Sequence, residues 1–223
     1  MKTKFNQHLL LLVFLVLSGF MTTPDGFVWE NIQVIGANKK SVFSLNLLRY
    51  NSGSYYRSVD SLFVVEKNLM NGCLIERRPL KTVAFYQDPD STTYELTETF
   101  SKPFDLIDYQ RENNIEFLFQ NSPFDLLKLK EEGLFIAGDT IEELLMDKQT
   151  LISFMDIENK PFVYVDEFNI AAKYSNKQYI ILVVNYGPLY SDEDFKQTII
   201  SIPNDQFDKA LNAYWGKVNK ANK

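Results

Sequence analysis

Hydrophobic and polar positions along this chain fall into three regimes. From 27 to about 100, short runs rich in β-branched and aromatic residues alternate with turn residues, at 27–35, 42–50, 61–66, 73–77, 80–86 and 92–97. Runs of this length and composition predict strands following one another in a meander. Asn71-Gly72 is the strongest hairpin signal. Both residue types tolerate the positive φ of a tight primed turn, and Val64-Val65 and Leu74-Ile75 flank it. Asn51, Ser52, Gly53 and Ser54 mark another turn.

The middle third changes character. Ser101-Lys102-Pro103-Phe104-Asp105 and Ser122-Pro123-Phe124-Asp125 each set a serine and a proline ahead of an apolar stretch, the arrangement of a helix start. The second predicted helix runs to Gly133 as its C-terminal stop. The string Pro-Phe-Asp-Leu common to both reads as shared capping chemistry rather than a repeat. Thr140-Ile141-Glu142-Glu143 has the form of a capping box, and Leu144, Leu145, Ile152 and Met155 continue an apolar face, predicting a helix over 141–154.

Beyond Pro161 the pattern returns to strands, at 162–168, 169–174, 178–186 and 196–202. The stretch 179–184 is apolar at every position, as expected of a central strand covered on both faces. Ser175-Asn176-Lys177 is short enough to pair it with the strand before, whereas 187–195 forms a longer loop. The last element reads as a helix capped by Asn204, with Asp205 and Asp208 near its positive end and Lys217 and Lys220 near its negative end. Phe207, Ala210, Leu211, Tyr214, Trp215 and Val218 recur at three- and four-residue spacing and give it one apolar face to pack on a sheet. The expected fold class is α+β: an antiparallel β-meander, a helical middle section, and an antiparallel sheet packed against a C-terminal helix. The expected organisation is one composite body over 21–223, with a division into 24–100 and 101–223 as the alternative.

The N-terminus has a different pattern. Lys2 and Lys4 precede an unbroken apolar run, 9–17, and the small residues Ser18 and Gly19 follow it. This order predicts a secretory signal over 1–20. The run is well short of the roughly 20 residues of a membrane span. Leu17-Ser18-Gly19 resembles a lipoprotein box, but Phe20 stands where an acylated cysteine would be required. The sequence therefore predicts an exported protein, periplasmic or extracellular, with no stable membrane insertion after cleavage.

Composition narrows the chemistry. The 45% hydrophobic and 14% aromatic content suffices for a packed core. Loss of the two signal lysines turns the net charge of -6 into about -8. That balance disfavours nucleic acid and anionic lipid as partners, because both reward clustered positive charge. The single histidine, His8, lies within the signal, so catalytic triads, histidine-assisted thiol chemistry and histidine metal sites are excluded from the mature chain. Cys73 is also alone and forms no internal disulfide; it reads as a small buried hydrophobe.

Candidate sites are few. Asp192, Glu193 and Asp194 cluster their carboxylates beside Tyr186 and Tyr190, a calcium candidate whose plain alternative is a solvated acidic loop. Asp88, Asp90 and Thr92 begin like a calcium loop, but Thr93 and Thr99 stand where that loop needs glycine and glutamate. The segment Gly36-Ala37-Asn38-Lys39-Lys40-Ser41 ends like a phosphate loop and lacks its glycines. Tyr55, Tyr56 and Arg57 form a candidate protein-binding patch, with Tyr186 and Tyr190 as further aromatic contacts. No cofactor is expected. The functional expectation is an exported, non-catalytic binding or interaction protein of the cell envelope, inhibitor- or immunity-like, whose partner is another protein of basic character. A carboxylate-dependent glycan hydrolase and a structural component of an envelope assembly are the alternatives.

Overall fold

The computed structural model describes residues 27–51, 57–87, 94–100, 104–121, 127–138, 141–154, 167–187 and 196–222. Its first half is an antiparallel meander. Strands β1 (Phe27–Ala37), β2 (Ser41–Asn51), β3 (Arg57–Asn68), β4 (Leu74–Gln87) and β5 (Tyr94–Phe100) each pair with the next. Two predicted strands merge into β4, because Pro79 sits at a bulge opposite Phe63 and leaves the ladder continuous on either side. The β3–β4 turn is broader than a two-residue primed turn. Asn68 N–H donates to the Cys73 carbonyl across 2.9 Å, and Gly72 takes a φ of 69°. Cys73 is exposed there rather than buried.

Helix α1 (Leu106–Glu112) starts where the sequence predicts a start, and its cap is Asp105, whose carboxylate accepts from Ile107 N–H and Asp108 N–H. Tyr109 packs edge-on against Phe43, with Ile115 and Val64 completing a small core on that face of the meander. Strands β6 (Glu116–Phe117) and β7 (Gln120–Asn121) follow at once, and they stitch two sheets together. The first pairs with the end of β1, and the second pairs with β11 (Glu167–Ser175).

The helical middle section is the main correction. The predicted helix ending at Gly133 is a hairpin of β8 (Leu127–Lys130) and β9 (Gly133–Ala137). Leu127 and Leu129 turn inward while Lys128 and Lys130 face solvent, a period of two. The predicted helix over 141–154 divides into β10 (Glu142–Asp147), paired with β9, and a short helix α2 (Lys148–Ser153) capped by Asp147. The apolar face of 141–155 fits either period, and pairing with the fully buried Leu134 and Ile136 decides for strand. The chain is therefore mostly antiparallel sheet with a few helices, still broadly α+β.

The third sheet contains β7 and β11, with β12 (Tyr179–Gly187) between β11 and β13 (Lys196–Pro203). As its sequence predicts, β12 is covered on both faces. Ile180, Leu182 and Val184, with Ile200 and Ile202 of β13, face a layer made of β9, β10 and helix α3 (Asn204–Ala221). Ile181 and Val183, with Ile199, face Ile32, Val34 and Val42 of the meander. Within α3, Phe207 and Tyr214 are buried, whereas Trp215 is about half exposed and lies edge-on to Tyr214. Asn204 is the first helical residue and does not cap the helix. Pro203 occupies the cap position, and the Asn204 amide donates to the Asn176 carbonyl across 2.9 Å. Among the described residues, no helix is long and apolar enough to cross a membrane.

Candidate functional site

Two hairpin tips, distant in sequence, meet at one end of the molecule. In the turn from β1 to β2, Asn38 N–H donates to the Ser41 carbonyl, and Asn38 Oδ1 accepts from Lys40 N–H and Ser41 N–H at 2.9 and 2.8 Å. In the turn from β11 to β12, Asn176 N–H donates to the Tyr179 carbonyl, and Asn176 Oδ1 accepts from Gln178 N–H and Tyr179 N–H, both at 2.8 Å. An asparagine holding two N–H groups in this way fixes the turn without help from a larger loop. Both tips project a lysine immediately after that asparagine, Lys39 and Lys177.

The C-terminal end of α1 completes the site. Asn38 Nδ2 donates to the Asn113 carbonyl across 3.1 Å, and Asn114 takes the positive φ of 51° that lets the chain turn back. Gly36 allows this approach: a Cβ there would collide with the Glu116 carbonyl and the Ile115 side chain. Together these residues enclose an open cleft of about 630 Å³, lined by Asn38, Lys39, Lys40, Asn114, Glu116 and Gln178 among others. A second recess of about 440 Å³ shares Lys39, Lys177 and Gln178 and extends past Tyr179 to Asp205.

The charge of this cleft runs against that of the chain. Lys39, Lys40 and Lys177 make no ion pair with any described residue, whereas Arg49, Lys81, Arg111, Lys130, Lys209 and Lys217 each pair with a carboxylate. Three lysines and one carboxylate, Glu116, line the larger recess. Among the described residues, no serine, threonine, cysteine or histidine lines either recess, and the carboxylates there are Glu116 and Asp205.

A second polar group lies between the sheets. Ser44 and Asn46 are buried on β2, where the Ser44 hydroxyl and Asn46 Oδ1 are 2.6 Å apart, and Asn46 Nδ2 donates to Glu30 Oε1 across 3.1 Å. Gln197 Oε1 accepts from Ile32 N–H, tying the outer edge of β1 to β13. Burial pushes the Glu30 carboxyl above its usual value, against the opposing pull of the Asn46 amide and of Lys67, Arg77 and Lys196. This is a satisfied structural network with no recess beside it among those described.

Of the segments singled out from sequence, 36–41 reaches the cleft, which Ala37, Asn38, Lys39 and Lys40 line, whereas Arg57 and Tyr186 line neither recess. Arg57 is exposed at the start of β3, opposite Tyr86. Tyr186 is half-buried on β12 and packs against the core beneath α3. Tyr55, Tyr56, Tyr190, Asp192, Glu193 and Asp194 lie outside the described residues, as do Asp88, Asp90 and Thr92. Among the described residues, no three His, Cys, Asp or Glu side chains group as a metal site. Sequence reasoning set 36–41 aside as a phosphate loop without its glycines and did not pair it with 176–178, although one signal links the two. Asn31-Ile32 precedes Asn38-Lys39 by the same spacing as Asn169-Ile170 precedes Asn176-Lys177. No known protein family, curated protein or solved structure matches this chain.

Proposed function

We propose that the protein is an exported, non-catalytic binding protein and that its ligand sits in the cleft between the two hairpin tips. The observation that carries this reading is the division of labour among the polar groups there. The asparagine side chains are committed to shaping the turns, and the lysine ammonium groups are left facing solvent. A wall held by its own hydrogen bonds is ordered before the ligand arrives, which lowers the entropy lost on binding. Export is supported by Lys2, Lys4 and the apolar run that follows them. In the two recesses, the carboxylates available to the alternative reading, a glycan hydrolase, are Glu116 and Asp205, one from each.

The test is a titration of the isotope-labelled protein, purified as the cell exports it, with fractions of an envelope extract, followed by amide chemical shifts. Shifts centred on 36–41, 113–116 and 176–178 support the reading. Shifts confined to 188–195 would instead favour an inhibitor that meets a basic partner through Asp192, Glu193 and Asp194. If no fraction moves either set, the binding function is wrong.

A further inference from the structure

Resting on that reading of the cleft, we infer that its ligand is an acidic oligosaccharide, a short sugar chain carrying well-separated carboxylates. Three features of the site converge on this class. The first is charge: Lys39, Lys40 and Lys177 line one recess, form no ion pair with a described acid, and outnumber the two carboxylates Glu116 and Asp205 of the two recesses, in a chain whose net charge is -6. A ligand must carry negative groups to use them. The overall negative charge at the same time repels a dense polyanion such as a nucleic acid or a heavily sulfated chain. Few charges on an otherwise neutral frame satisfy both conditions.

The second feature is the lining between the lysines. Asn114 and Gln178 present side-chain amides in which donor and acceptor lie side by side, the pattern that matches sugar hydroxyls, themselves both donors and acceptors. The third is size. The main recess of about 630 Å³ adjoins one of about 440 Å³ that shares Lys39, Lys177 and Gln178 and reaches past Tyr179 to Asp205. A single phosphate or carboxylate ion would leave most of it empty, whereas two or three sugar rings span it. Tyr179, half-buried against the core between the sheets, adds an aromatic side chain to the wall of the smaller recess.

The probe is tri-galacturonic acid, compared with its methyl ester, which keeps every hydroxyl and loses every charge. Calorimetry at low salt should show the acid binding at least about tenfold more tightly than the ester, with the advantage shrinking as salt is added. The double variant Lys39→Glu/Lys177→Glu should lose that preference. Both side chains are exposed, so the fold is retained, and circular dichroism verifies this. Lys220→Glu, at the far end of α3, should leave it intact. Equal binding of acid and ester, undiminished binding by the double variant, or equally tight binding of inorganic phosphate overturns the inference. Equal binding of acid and ester that still shifts the amides of 36–41 and 176–178 leaves the cleft as a binding site and removes only its acidic specificity. Absence of any cleft shift with the trisaccharides and with extract fractions alike removes both.

Discussion

Asn38 and Asn176 close their hairpins with the same three hydrogen bonds, one from the backbone N–H and two to the side-chain oxygen, although 137 residues separate them in the chain. They differ in what else they hold. Asn38 Nδ2 reaches the Asn113 carbonyl, and the Asn176 carbonyl receives the Asn204 amide.

Replacing either asparagine by alanine removes two turn hydrogen bonds and should destabilise the protein by about 1–2 kcal/mol in urea denaturation. Aspartate separates the two roles. Asn176→Asp keeps the acceptor and should stay near wild type at neutral pH. Asn38→Asp keeps the turn but sets a carboxylate oxygen against the Asn113 carbonyl, so it should lose stability comparable to Asn38→Ala. Equal behaviour of the two aspartate variants would mean that the Asn38–Asn113 contact contributes nothing.

Gly36 and Gly216 make opposite predictions from the same substitution. Alanine at 36 meets the Glu116 carbonyl and the Ile115 side chain and must displace the segment that stitches the two sheets, at a cost of about 1–3 kcal/mol. Alanine at 216 meets nothing within 4 Å on the exposed side of α3, and it should stabilise by about 0.5–1 kcal/mol through helix propensity. Thermal melting of the two variants checks both signs.

Glu30 predicts a pH dependence. Burial raises its folded pKa above the ordinary value of 4.5, so the folded state holds this proton more tightly than the unfolded state. Its contribution is therefore fully present below 4.5 and is lost as pH rises through the folded value. Glu30→Gln keeps an acceptor for Asn46 and has no charge to desolvate. It should match wild type at acid pH and become the more stable form above that window. Denaturation midpoints across the range test this. A variant that is less stable at neutral pH would show that attraction to Lys67, Arg77 and Lys196 outweighs burial.

How much of this was legible depended on whether local pattern and tertiary partner agreed. The meander and β12 were readable because each strand's apolar positions match the faces it buries, and 180–184 leaves no polar position for solvent. The middle third was not readable from caps alone. Serine, proline and an acid open a helix at Asp105, yet a similar grouping at 122–125 precedes a strand, and only the Leu127-Lys128-Leu129-Lys130 alternation gave the strand away. The cleft draws on 38, 113 and 176, which no local window contains. Its Asn-Lys pairs carry meaning only once two hairpins are known to lie side by side.

The two-sided burial of β12 yields the last prediction. Ile180 and Ile181 are chain neighbours, but Ile180 belongs to the core under α3 and Ile181 to the core between the sheets. Each Ile→Val change should cost about 0.5–1.5 kcal/mol, and the double variant should equal the sum within about 0.5 kcal/mol because the two side chains share no cavity. Ile180 and Ile202 are the contrasting pair, opposite one another on β12 and β13 and buried in one cluster. Methyl deletions at both can be relieved by a common repacking, so their double variant should depart from additivity. If Ile180 and Ile181 prove the more strongly coupled pair, the strand does not separate two cores, and the layered description of the fold fails at its centre.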